Sequence, residues 1–361
     1  VSIIVTPALC SAAGLAKDGP PMLLTDPPPA PAAALTYHGG RADAAARLYP
    51  DAPAPWLDLS TGINPFAWEG ADVPLSALRA LPSPAELSAL HHAAAAAFGA
   101  HEAAITALPG SEIGLRALAG LALPRPWHVV APSYRTHQAA LPGATTISAA
   151  AVDAVARGGG TLLLANPNNP DGRCWPAARL LELAQALADR GGVLVVDEAF
   201  ADAMPGASVL PLLMRDDRVL VFRSFGKFFG LAGVRLGFAA GGAALVGAVA
   251  ARLGSWPVST AALRIGTAAY RDTAWMAATR EQLAAAAAAL DAVLDAHDLA
   301  PTGACPLFRQ VERDDAPLLF ERLARAGILV RPFNEAPRRL RLGLPGDAAA
   351  LARLDAALGG R

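Results

Sequence analysis

The chain has 361 residues, enough for two domains or for one large enzyme domain with a satellite. It is 53% hydrophobic and only 17% charged, against about 25% charged in an ordinary globular protein, which excludes a disordered chain. With 30 basic and 31 acidic residues the net charge is −1, so a nucleic-acid partner is not expected; nor does any run of about 20 bulky apolar residues suggest a membrane span.

Residues 1–36 read as a Pro-rich N-terminal extension, because Pro20, Pro21, Pro27, Pro28, Pro29 and Pro31 oppose regular structure. Met22 is a candidate start, and the apolar run over 1–14 lacks the basic flank of a secretory leader. Residues 37–83 are rich in Gly, Pro and turn residues around one apolar piece at 56–59, and read as an ordered arm. From residue 84 the pattern changes. A helix over 85–98 closes at Gly99. Strand-like runs follow at 104–108, 128–131, 145–148, 161–165, 193–196 and 219–222, with helices over 112–123 and 176–190. Short apolar strands alternating with helices predict a mostly parallel sheet covered on both faces. The run at 234–238 follows too closely for a helical crossover, so it is expected as an antiparallel member of that sheet. Residues 84–257 are therefore expected as a large α/β domain. Beyond them come Ala-rich helix over 261–298 broken near 271–273, strands at 307–311, 328–331 and 339–344, and helices over 316–326 and 347–358. Residues 258–361 thus read as a small α+β domain.

Cys10, Cys174 and Cys305 stand far apart, with no C-x-x-C pair and no adjacent His. Neither a disulfide framework nor a metal site is expected, and a reducing cytoplasm fits. Only Lys17 and Lys227 are lysines; the other 28 basic residues are Arg. Arg keeps its proton near neutral pH and Lys can release it. An internal Lys in such a chain is a candidate amine, the alternative being a stray surface charge.

Ligands of parallel sheets gather at the carboxyl ends of the strands. After 104–108 comes Pro109-Gly110-Ser111-Glu112, either an ordinary Ser N-cap or a phosphate cradle at a helix start. After 128–131 comes Pro132-Ser133-Tyr134, whose aromatic either packs or stacks on a flat ring. Asn166-Pro167-Asn168-Asn169-Pro170-Asp171-Gly172 is too elaborate for a plain turn, and its amides can reach a ligand. Asp197, at the end of an apolar strand, needs a cationic partner such as a protonated ring nitrogen. Lys227 lies in a Gly-rich loop among phenylalanines, where apolar surroundings would lower its pKa, with Ser224 and Arg235 able to bind phosphate. Together these parts describe pyridoxal 5′-phosphate (PLP).

The strings G-S-E, P-S-Y, N-P-N-N-P-D-G, D-E-A-F and S-F-G-K-F-F-G-L-A-G-V-R, in that order, resemble fold-type I PLP-dependent enzymes of the aspartate aminotransferase-like fold. They are most similar to the histidinol-phosphate aminotransferase branch, over residue 37 to the C-terminus. The resemblance implies Lys227 as the Schiff-base lysine and Asp197 as the partner of the pyridine nitrogen. It implies Asn169 at the ring hydroxyl oxygen, Tyr134 stacked on the ring, and Gly110, Ser111, Ser224 and Arg235 at the cofactor phosphate. Arg341, in L-R-L-G-L-P-G, matches a substrate-carboxylate arginine, with Arg339 two residues away as the alternative; Arg331 matches an arginine for the distal phosphate of a phosphorylated substrate. Tyr37-His38-Gly39-Gly40, Leu59-Ser60-Thr61-Gly62-Ile63-Asn64-Pro65 and Phe200 are similar to L-threonine-O-3-phosphate decarboxylases of cobalamin biosynthesis. The arm would then contribute to the active site, with Asn64 at the substrate's amino-acid end. His38 is either a phosphate-end contact or a turn histidine. His91 and His92 are expected on an exposed helix face, and no role is read for His137. The implied reaction is decarboxylation of L-threonine O-3-phosphate to (R)-1-aminopropan-2-yl phosphate; the alternative is transamination of a phosphorylated amino acid such as histidinol phosphate. The resemblance also implies a homodimer, with Tyr37 near the neighbour's cofactor.

Overall fold

The structure is a computed structural model that describes residues 33–36, 38–70 and 72–360. Cys10, Lys17, Met22, Tyr37 and the prolines of the extension lie outside the described residues.

Seven strands form the main sheet, in the spatial order Ala104–Leu108, Gly237–Gly241, Val219–Ser224, Val193–Asp197, Thr161–Ala165, Trp127–Val130, Thr145–Ile147. Gly237–Gly241 runs antiparallel to both its neighbours, and the remaining pairs are parallel. The central strands are apolar through their middles because both faces are covered, with polar residues only at their ends. Leu162, Leu164, Leu194, Val196, Val219 and Val221 enter the core on one face, while Leu163, Val193, Val195, Leu220 and Phe222 enter it on the other. Alternation along a strand sends successive side chains to opposite faces, and each buried aliphatic contributes about 1.5–3 kcal/mol.

The antiparallel strand begins three residues later than the apolar pattern suggests. Ala232–Val234 form a tight 3₁₀ turn, and Arg235 takes a left-handed conformation at φ 54°. The strand proper is Gly-Phe-Ala-Ala-Gly, small enough for close approach: a Cβ on Gly237 would lie 2.5 Å from the Ser111 nitrogen.

Helix Pro84–Phe98 opens with a capping box between Ser83 and Glu86 and closes at Gly99 in the left-handed region. His91, expected exposed, is half-buried on this helix, and its Nε2 accepts from the Ala107 N–H at 3.0 Å. The Ala-rich helix is broken at Asp272 into Thr260–Arg271 and Thr273–Ala296. The Asp272 carboxylate caps the second half through the Trp275 N–H and also accepts from Trp68 Nε1.

A three-stranded antiparallel sheet has the order Arg331–Pro332, Arg339–Gly343, Phe308–Glu312. The stretch 328–331, expected as one strand, is divided. Ile328–Leu329 pairs in parallel with Leu57–Asp58 of the arm, while Arg331–Pro332 pairs with Arg339–Gly343. Pro332 has no N–H to extend the ladder. Among the described residues no helix is long and apolar enough to cross a membrane.

Candidate active site

A cavity of about 360 Å³ opens where the carboxyl ends of the parallel strands face the small sheet. Eleven of the twelve residues expected at the site line it: His38, Gly110, Ser111, Tyr134, Asn169, Asp197, Ser224, Lys227, Arg235, Arg331 and Arg341. Asn64 is the exception. Its Nδ2 donates to the Phe228 carbonyl at 2.7 Å and its Oδ1 accepts from the Phe66 N–H at 2.8 Å, so the amide is committed to backbone. Its own N–H donates to the Lys227 carbonyl at 2.9 Å. Asn64 therefore staples the lysine turn and does not reach the substrate space.

Lys227 sits in the short helix Phe225–Phe228 that follows strand Val219–Ser224. Stacked aromatics pack around this turn. Phe225 stacks on Phe229 at 4.5 Å between ring centres, and Phe229 stacks on Trp275 at 5.4 Å. Burial in this setting, reinforced by the cations Arg341 and Arg235, pulls the amine down to about 8, with Asp197 opposing. Near-neutral amine is thus available close to physiological pH.

Asp197 ends its strand almost fully buried. One carboxylate oxygen accepts from the Ala199 N–H at 3.1 Å; the other lies 2.8 Å from Nε2 of His137, itself fully buried. His137 is the site-supporting residue that the sequence did not disclose. It comes from helix Thr136–Ala140, one turn after Tyr134, whose ring meets it edge-on at 5.8 Å. Behind the strand ends, the Arg223 guanidinium is clamped by Glu198 at 3.0 Å and by Asp202, fixing the residues next to Asp197 and Ser224.

The anion cradle is built by close backbone approach. Gly110 has φ 91°, and a Cβ there would lie 2.7 Å from an Arg235 guanidinium nitrogen. Ser111 starts helix Ser111–Ala117, whose free N–H groups favour an anion. On the opposing side Arg341 donates to Asn169 Oδ1 and to the Ser60 carbonyl, both at 2.7 Å, while its buried Nε has no partner among the described residues. Arg339 faces Glu312 at 3.0 Å and does not line the cavity, so of the two candidates only Arg341 is in reach of a ligand there. Arg331 and Arg341 are direct cross-strand partners, and burial, followed by neighbouring arginines, lowers each to about 10. His38 is also lowered by burial and by Arg331. Phe200 presents a hydroxyl-free ring to the cavity, edge-on to Phe308 at 5.0 Å.

A ligand with an aldehyde carbon, a basic ring nitrogen and a phosphate would engage Lys227, Asp197 and the Gly110 cradle at once. PLP has all three, and the buried carboxylate and the space that a Cβ at Gly110 would fill both fit it. Fold and site together define a fold-type I PLP-dependent enzyme. The aminotransferase class I and II family matches residues 144–358. The threonine-phosphate decarboxylase of Pseudomonas aeruginosa is 41% identical over 328 residues, 90% of this chain and 97% of that protein. One from a Sinorhizobium species is 40% identical over 331 residues, 90% of this chain and 98% of that protein. Histidinol-phosphate aminotransferase 2 of Burkholderia mallei is 35% identical, but over 52% of this chain and 54% of its own length. In fold, the crystal structure of the Sinorhizobium meliloti histidinol-phosphate aminotransferase with PLP aligns at TM-score 0.74 and 23% identity, covering 88% of this chain and 93% of that one. The chain belongs to the aminotransferase class I and II family and, within it, to the group of threonine-phosphate decarboxylases.

Proposed function

We propose that this enzyme decarboxylates L-threonine O-3-phosphate to (R)-1-aminopropan-2-yl phosphate, a step of cobalamin biosynthesis. The observation that carries the reading is the buried cross-strand pair of Arg331 and Arg341. Like charges directly opposite on a sheet are unfavourable, and an anion with two closely spaced acidic groups relieves them. Threonine phosphate carries a carboxylate and a phosphate on neighbouring carbons. Histidinol phosphate carries a phosphate and no carboxylate.

Bound PLP supplies the electron sink for a bond broken at Cα. The chain's residues do the rest. Asp197, held by His137 and the Ala199 N–H, stays in place to keep the ring nitrogen protonated. Gly110, Ser111, Ser224 and Arg235 bind the cofactor phosphate. Tyr134 would cover the ring, and Asn169, whose Oδ1 accepts from Arg341, would meet its hydroxyl oxygen. Arg341 takes the substrate carboxylate and Arg331 the substrate phosphate, with His38 beside it. Anchored at both ends, the substrate would have its torsion at Cα fixed by these two arginines, so that remote binding energy selects which bond is broken. Lys227 would hold the cofactor through Nζ, and its free amine could take a proton from the substrate ammonium and deliver it to the Cα that loses carbon dioxide. The assembly proposed is a cytoplasmic homodimer.

The test is to incubate the PLP-loaded enzyme with threonine phosphate and assay carbon dioxide and keto acid in parallel, with and without 2-oxoglutarate. Carbon dioxide release independent of 2-oxoglutarate supports the reading. Rapid 2-oxoglutarate-dependent keto acid formation from histidinol phosphate, without carbon dioxide from threonine phosphate, moves the function to transamination.

A further inference from the structure

At the cavity mouth the Arg135 guanidinium donates to the Glu335 carboxylate at 2.8 Å, and both residues line the cavity. They come from parts of the chain 200 residues apart. Arg135 follows Tyr134 at the end of a main-sheet strand, whereas Glu335 lies in the loop beyond Arg331–Pro332 of the small sheet. The pair spans the mouth between the two sheets, beside the arginine that would take the substrate phosphate. Arg331 feels both members: Arg135 lowers its proton affinity and Glu335 raises it. His38 feels Arg135 as well. Three cationic or ionisable groups thus share this end of the cavity with two carboxylates, Glu112, which acts on His38, and Glu335, which, held by Arg135, has the geometry of a stand-in anion.

We propose that Arg135 is a further substrate-phosphate ligand, with Glu335 its exchangeable partner, released when the dianionic phosphate arrives; this deepens the decarboxylase reading and rests on it. The ion pair is well exposed, with 34% and 56% of its side chains accessible. An exposed pair contributes little to stability, so parting it is easy. A phosphate offers Arg135 twice the charge of Glu335 and more acceptor oxygens in fork geometry. It also sits nearer Arg331 and His38, whose mutual repulsion with Arg135 it relieves. Substrates without a dianionic group cannot displace Glu335 and leave the mouth pair closed on itself. Glu335 thereby acts as a charge filter, and exchange of Arg135 from Glu335 to the substrate discriminates for phosphorylated amino acids.

Exchange makes the two substitutions act in opposite directions, which a simple strap would not. In the PLP-loaded enzyme, Arg135→Gln should raise the KM for threonine phosphate about tenfold, the loss of one charge-assisted contact at a partly solvated site, with kcat much less affected. Glu335→Gln should lower that KM severalfold, and Arg135→Lys should recover part of the loss. Competitive binding of inorganic phosphate to the same holoenzymes, its cofactor cradle already filled, should follow the same opposite trends and needs no reaction to be read. If both substitutions weaken phosphate binding, the pair is a structural strap and the inference falls. If Arg135→Gln binds phosphate and substrate as the parent does while Arg331→Ala does not, Arg135 is no ligand. Absence of carbon dioxide from the parent enzyme would overturn the decarboxylase reading alone, because the inorganic phosphate series still decides the exchange.

Discussion

The lowered proton affinity of Lys227 has a consequence that can be measured on the apo-protein. An amine at about 8 is neutral at pH 7 in about one molecule in ten, against about one in three thousand for an ordinary lysine at 10.5. Proton availability alone then gives Lys227 about a three-hundredfold advantage in attacking the cofactor aldehyde. Mixing apo-protein with PLP and following the visible band of the covalent adduct should show a rate that climbs about tenfold per pH unit at low pH and flattens above about 8. The sign follows from the chemistry: only the deprotonated amine attacks, so activity rises with pH until deprotonation is complete. Arg341→Gln removes the second-ranked cause of the lowering, after burial, and should move the midpoint upward by about one pH unit or less. A rate still rising at pH 10 in the parent protein would refute the argument, as would a downward move in the variant. After borohydride reduction the label should sit on Lys227; label on Lys17 would remove the cofactor assignment.

If Asp197 keeps the ring nitrogen protonated, as proposed, Asp197→Asn should collapse kcat while KM moves little; an effect confined to KM would contradict the role. Arg331→Ala should narrow the preference for threonine phosphate over threonine by one to two powers of ten, from roughly 1.5–3 kcal/mol for a charge-assisted contact, as read by kcat/KM for both substrates. Gly110→Ala forces a side chain into a φ of 91° against Arg235. The strain is on the order of 1–3 kcal/mol, and equilibrium titration with PLP should show cofactor binding weaker by about five- to a hundredfold.

Strand positions in the main sheet were legible because burial on both faces writes them as uninterrupted apolar runs, as at 161–165 and 193–196. The antiparallel strand was displaced because its own residues are mostly Gly and Ala, chosen for close approach rather than apolar bulk. Helices Ala42–Leu48, Val152–Gly158 and Ala243–Leu253 were not foreseen. In an Ala-rich chain, helix propensity is spread too evenly to mark their ends. Most residues that line the cavity were legible because they stand at strand ends, where chemistry gathers. His137 was not, because its partner Asp197 lies 60 positions away and only the fold brings them to 2.8 Å. Asn64 was misplaced for the converse reason: an amide in a motif shows its chemistry but not whether nearby backbone has already claimed it.

The small parallel pairing of Leu57–Asp58 with Ile328–Leu329 sets a timetable for biosynthesis. Leu59 extends the link, donating to the Leu329 carbonyl at 2.8 Å and accepting from the Gly343 N–H at 2.7 Å. The arm segment leaves the ribosome about 270 residues before its partner does, which at roughly 5–20 residues per second is a wait on the order of tens of seconds. During that interval the main sheet can form, since its last strand ends at Gly241, and Asn64 can dock on the lysine turn, but Leu57–Asp58 has no strand to pair with. Arg331 and Arg341, carried by the late strands, therefore reach the cavity only at the end of synthesis. A nascent chain holds the cofactor half of its active site long before it holds the substrate half.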